Sequence, residues 1–149
     1  MKDIDKGFEK IGKLLKQLNK ISLKAGVLSE SDSKPKGGES IAEYAYYNEV
    51  GTDRIPARPF MSLTADEQKD NWSNLMTKSF DKMLVSGGKD LEVELGRVGE
   101  RMINDIKETI SSNISPVNAP STIKRKKSSK TLIDTGLLRQ SIKWQISQD

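Results

Sequence analysis

Ile4, Phe8, Ile11, Leu15 and Leu18 recur at steps of four, three, four and three, a spacing that places them on one helix face. Lysines at positions 6, 10, 13, 16 and 20 fill much of the remainder. Such a helix either packs its apolar stripe on the domain with its lysines in water, or lies on a membrane or on nucleic acid. The period then changes to two. Ile21, Leu23, Ala25 and Val27 share one parity against Ser22, Lys24 and Gly26, which predicts a half-buried strand. Ile142, Trp144 and Ile146 alternate in the same way with Ser141, Lys143, Gln145 and Ser147, predicting a second strand antiparallel to residues 20–28.

Between these strands the helical period dominates. A long helix is expected from about Ser62 to Val85, burying Leu63, Trp72, Leu75, Met76, Phe80 and Met83, and Gly87-Gly88 breaks it. The next helix, from about Lys89 to Ser111, repeats Leu91, Leu95, Val98, Met102, Ile106 and Ile110, with Ile103 widening the stripe. Gly96 and Gly99 each cost about 1 kcal/mol relative to alanine inside a helix, which predicts close approach of another backbone there. The expected fold is helix-predominant α+β: two or three long helices on a small antiparallel sheet, in a single domain over residues 1–149.

The remaining segments read as loops. Residues 29–39 hold no apolar side chain larger than proline's, so a mobile loop is predicted. Ser40 caps a short helix through Tyr44, Tyr46 and Tyr47 that ends at Gly51, and this tyrosine cluster suits either an interface or a local aromatic core. Residues 54–60, Arg-Ile-Pro-Ala-Arg-Pro-Phe, predict a proline-stiffened, exposed arm presenting Ile55, Arg58 and Phe60. Residues 112–131 form a long polar connection, read as flexible and punctuated by Pro116 and Pro120. In Asp134-Thr135-Gly136 the carboxylate suits backbone N–H groups at a tight turn, and the glycine suits a sharp bend.

Composition narrows the chemistry. The 149 residues include no Cys and no His, which excludes disulfides, thiolate catalysis, Cys/His zinc sites and imidazole bases. No glycine loop precedes a Lys-Ser or Lys-Thr pair, and no pair of acids stands out as an acid/base couple. No catalytic residue, cofactor or metal is therefore expected. The net charge of +4 is unevenly laid out: residues 1–28 carry +4, residues 29–111 carry −5 and residues 112–149 carry +5. That layout suits nucleic acid, or identical subunits meeting head to tail around a ring, or simply a soluble surface. The run Lys124-Arg125-Lys126-Lys127 has no interleaved aromatic residue, so any contact with DNA or RNA is expected to be electrostatic and sequence-independent. Its alternatives are a solvated loop or one ordered against an acidic neighbour. With no apolar run of membrane-spanning length and with Asp3 and Asp5 among the first lysines, neither membrane insertion nor a signal peptide is expected.

Tyr47-Asn48-Glu49-Val50-Gly51-Thr52, followed by Ile55-Pro56-Ala57-Arg58-Pro59-Phe60, resembles a signature of bacteriophage neck and tail-completion proteins. Asn118-Ala119-Pro120-Ser121-Thr122-Ile123 and Leu132-Ile133-Asp134-Thr135-Gly136-Leu137-Leu138, ending with Ser141-Ile142, are similar to that family's later motifs, in the same order. The resemblance covers about residues 40–146; Val50 replaces a usual aromatic, and Lys127 stands where a Lys-Gly pair is common. It implies a non-enzymatic virion part at the phage neck or head-proximal tail end, made in the host bacterial cytoplasm. The implied partners are the chain itself, in a ring with six-fold symmetry favoured over twelve-fold, and neighbouring neck, head-completion, tail-terminator or tail-tube proteins. A contact with passing DNA is a further expectation. The interface implied comprises Tyr47, Asn48, Glu49 and Thr52, the arm residues Ile55, Pro56, Arg58, Pro59 and Phe60, then Asn118, Thr122, Lys124, Arg125, Lys126 and Lys127. Gly51, Asp134, Thr135 and Gly136 are expected to shape loops.

Overall fold

The computed structural model describes residues 2–29, 32, 34 and 38–148, with side chains from Gly7 onward. The described elements run α1 (Lys2–Leu18), β1 (Ile21–Val27), α2 (Ile41–Val50), α3 (Phe60–Ser86), α4 (Leu91–Ser111), α5 (Pro120–Lys126), α6 (Leu137–Ser141) and β2 (Ile142–Gln148). The fold is helix-predominant α+β. β1 and β2 pair antiparallel, with Leu23 opposite Ile146, Ala25 opposite Trp144 and Val27 opposite Ile142. Partners directly opposite share a sheet face, so the alternating apolar positions of both strands meet on one side, and α4 packs on the ribbon.

α3 and α4 form a helical hairpin about the Gly87-Gly88 break, where both glycines take positive φ. Among the described residues two apolar clusters hold the fold. The larger joins Ile41, Phe60, Ile103, Ile106, Ile110, Leu132, Leu138 and Ile142 at the α2 end. The smaller joins Leu14, Met83 and Leu95 near the turn. Between them the α3–α4 seam is polar: the Thr64 and Thr109 hydroxyls lie 2.7 Å apart, and the Trp72 indole donates to Asp105 Oδ2 at 2.7 Å. Burial along α3 accordingly differs from expectation. Phe60, Thr64, Ser79 and Met83 are buried, whereas Leu63 is exposed and Trp72, Leu75, Met76 and Phe80 are half-buried.

Gly96 and Gly99 accommodate a side chain rather than a backbone. The Trp144 indole lies on them, and a Cβ at Gly99 would stand 2.6 Å from its Cδ2. Trp144 Nε1 also donates to Glu100 Oε1 at 2.8 Å, fixing the ring across α4.

α1 forms as its period predicts, but the partner takes a different edge of it. Leu14, outside the expected stripe, is buried against Met83 and Leu95, while Phe8, Ile11 and Leu15 remain exposed and Leu18 is half-buried. Ile4 lies outside the described side chains, as does Lys6. Of the predicted 29–39 loop, residues 30, 31, 33 and 35–37 lie outside the described residues.

Candidate functional site

The segment from α2 to α3 is built by local hydrogen bonds that the sequence encodes closely. Ser40 Oγ accepts from the Glu43 N–H at 3.1 Å while the Glu43 carboxylate accepts from the Ser40 N–H at 2.7 Å, a reciprocal cap at the start of α2. Those bonds hold the Glu43 carboxyl below its ordinary pKa, the backbone bond from Ser40 contributing most. Gly51 ends the helix at φ 78°, and a Cβ there would meet the Ala57 nitrogen at 2.8 Å. Only glycine fits. Thr52 then closes a tight turn, its N–H donating to the Ile55 carbonyl at 2.7 Å and its Oγ1 accepting from the Ile55 N–H at 3.0 Å.

That turn sends residues 54–60 back against the body rather than out into solvent. The Arg58 N–H donates to the Asn48 carbonyl at 2.6 Å. Arg58 is 5% exposed, and its guanidinium donates from Nε to the Pro116 carbonyl at 2.9 Å and from Nη2 to Asn118 Oδ1 at 3.2 Å. Phe60 is 1% exposed and belongs to the larger core cluster. The prediction of an exposed arm presenting Arg58 and Phe60 is thus corrected: prolines stiffen the segment, but its two largest groups point inward. Ile55 is half-buried, and Pro56 and Pro59 lie on the surface.

Other motif residues also do structural work. Asn48 is buried and donates from Nδ2 to the Tyr44 carbonyl at 2.8 Å. Glu49 caps α3 from a different helix. Its carboxylate accepts from the Met61 and Ser62 N–H groups, each at 2.9 Å, and from Ser62 Oγ at 2.6 Å. This supplies the N-terminal acceptors that Pro59, at the cap position, lacks.

The connection 112–131 carries more structure than its polarity predicts. Pro120 begins α5, whose exposed Lys124 and Arg125 lie beside half-buried Thr122 and Lys126, and Lys127 ends it in a left-handed conformation. Asn118, buried, receives Arg58 and donates to the Lys130 carbonyl at 3.1 Å. Asn113 Oδ1 accepts from the Thr131 N–H at 3.0 Å, and Lys126 Nζ donates to the Thr131 carbonyl at 3.3 Å.

These segments meet around one cleft of about 370 Å³, lined on one side by Tyr44, Asn48, Arg54 and Arg58 and on the other by Asn118, Arg125, Lys126 and Asp134. Burial raises the Tyr44 pKa, with the Asp134 carboxylate adding to it. Burial likewise lowers that of Lys126, opposed by Asp134 and reinforced by Arg58 and Arg125. Asp134 and Thr135 are exposed, and among the described residues the Asp134 carboxylate accepts no hydrogen bond, contrary to its expected capping role. Gly136, at φ 80°, makes the bend before α6. A second, more apolar cavity of about 300 Å³ lies on the other side of Tyr44 and Asp134, floored by Ile41, Leu132 and Leu138.

Among the described residues no group of three or more acidic side chains is placed to hold a metal ion, and no helix is long and apolar enough to cross a membrane. Tyr46, expected in an interface or a local aromatic core, is exposed, as are Phe8, Ile11 and Leu15 on the predicted α1 face; reasoning from sequence did not single out the exposed Val50 on α2. It also missed α5, for which Pro120 at a first helical position was the available signal. No family model, curated protein or solved structure matches this chain.

Proposed function

We propose that this protein is a structural subunit of a bacteriophage neck or head-proximal tail end, forming a ring of identical copies that completes the tail or joins it to the head. The observation that carries the reading is the convergence of the resembling segments. Residues 47–60, 118–123 and 132–138 are far apart in sequence, yet each contributes to the cleft and cavity around Arg58, Tyr44 and Asp134. Residues such as Asn48, Glu49, Gly51, Arg58 and Asn118 then account for the motifs as a scaffold. They fix backbone geometry, so exposed neighbours such as Thr52, Pro56, Lys124 and Arg125 are held in place for docking. A part that works by position needs no catalytic group.

The test uses a tag at exposed Ser129 in particles made with the tagged chain. Labelled density encircling the joint between head and tail is expected; assembled particles without the label would sink the proposal.

A second reading is favoured by the cations around the cleft: Arg54, Arg58, Arg125 and Lys126 line it with Asp134 as the acid among them. On this reading the α5 edge contacts nucleic-acid phosphates without reading sequence. Binding to duplex DNA should then fall steeply with salt and be lost on Lys124→Ala with Arg125→Ala. Absence of binding at low salt removes it.

A further inference from the structure

Two exposed faces at opposite ends of the molecule complement each other. On α1, Phe8 is 71% exposed, and Ile11 and Leu15 beside it are also uncovered. From Gly7 to Lys20 the flanking charges are Lys10, Lys13, Lys16 and Lys20 against Glu9 alone. On α2, Tyr46 is 63% and Val50 53% exposed, one helical turn apart on the same side. From Glu39 to Asp53 there are four acids and no Lys or Arg. Beside Tyr46 a groove of about 250 Å³ is lined by Ala42, Ala45 and Met61.

Within one chain these faces are held apart. α1 is anchored through Leu14 near the Gly87-Gly88 turn, whereas α2 packs by Phe60 at the other end of α3. α3 has 27 residues, so its ends are about 40 Å apart. Symmetric pairing of either face with itself sets lysines against lysines or acids against acids, which is unfavourable. Only a head-to-tail contact satisfies both the apolar and the charged groups.

We propose that α1 of one copy docks its Phe8, Ile11 and Leu15 edge on the Tyr46 and Val50 face of α2 in the next copy. Phe8 enters the groove beside Tyr46, with Lys13 and Lys16 facing the acids around α2. This rests on the ring reading above and names the surfaces by which the copies join. Repetition of such a heterologous contact closes a ring where the rotation permits.

The absence of native cysteine gives a direct test. Full-length Phe8→Cys and Val50→Cys chains are each oxidised alone and as a mixture; a disulfide-linked pair is expected only in the mixture. In sedimentation, Phe8→Asp should weaken self-association by at least about thirtyfold while leaving the urea midpoint unchanged. Lys13→Glu with Lys16→Glu should weaken it too, and adding Glu39→Lys with Asp53→Lys in the same chain should restore it.

Wild-type assembly that none of these variants perturbs overturns this contact and leaves the ring reading intact. Phe8→Cys chains linking to one another as readily as to Val50→Cys overturn it in favour of a symmetric pair. A wild-type chain that stays monomeric at all concentrations overturns both. Monomers that instead sediment with phosphatidylserine vesicles, through Phe8, make α1 a membrane-surface helix and also overturn the contact.

Discussion

Arg58 and Phe8 invert the ordinary expectation of burial at the two ends of the molecule. At the α2 end Arg58 is 5% exposed, its guanidinium held by a carbonyl and an asparagine; at the α1 end Phe8 is 71% exposed. The buried cation is tolerable because its donors at Nε and Nη2 meet neutral acceptors positioned by separate elements, so its desolvation is offset by hydrogen bonds. The exposed ring belongs to a helix that touches the body by only one edge of its apolar face. One end therefore completes its contacts within the chain. The other leaves its largest ring, Phe8, uncovered.

The same substitution at the two ends should separate these roles. Phe60→Ala opens a cavity in the larger cluster and should cost about 3–5 kcal/mol, read from urea unfolding. That is a large part of the roughly 5–15 kcal/mol typical of a domain, and an effect below about 1 kcal/mol would break the contrast. Arg58→Ala should follow at about 2–3 kcal/mol, because Asn118 Oδ1 and the Pro116 carbonyl lose their donor. The same measurement checks it. Ser40→Ala should cost about 1 kcal/mol through loss of the α2 cap.

A pH series sharpens that result. The Ser40 bonds hold the folded Glu43 pKa below its unfolded value, so its contribution is fully present above the unfolded pKa and is lost as the pH falls through the folded one. Glu43→Gln should flatten this part of the acid limb of the stability profile. Smallest of all is Phe8→Ala, expected to stay within about 0.5 kcal/mol of wild type in the monomer, with its large effect confined to self-association. A loss of several kcal/mol there would show that α1 is covered within its own chain.

Periodicity made α1, β1, α4 and β2 legible as elements, and the Ser40 cap and Gly51 marked the ends of α2. The capping box at Ser40 and Glu43 was readable because it is local in sequence. The direction of residues 54–60 was not. Pro56 and Pro59 announce stiffness, but the acceptors of Arg58 lie at Pro116 and Asn118, which no local pattern links to it. In α1 the period identified an apolar face without specifying which edge the body covers, and Leu14, outside the five-residue repeat, packs there with Leu18 from it. The glycines of α4 signalled close approach correctly. That an indole rather than a backbone approaches depends on strand register, which sets Trp144 opposite Ala25 on the face turned to α4.

The Glu49 clasp on the first turn of α3 has a mechanical consequence. Because one carboxylate holds the Met61 and Ser62 amides from α2, the angle between α2 and α3 is set beside Phe60, and any change in it would be carried by α3 and the α4 packed along it to the Gly87-Gly88 turn. Over a helix about 40 Å long, a pivot of roughly 5° sweeps the far tip by some 3–4 Å. On the ring reading proposed above, a slight change in that angle would alter the curvature between neighbouring copies.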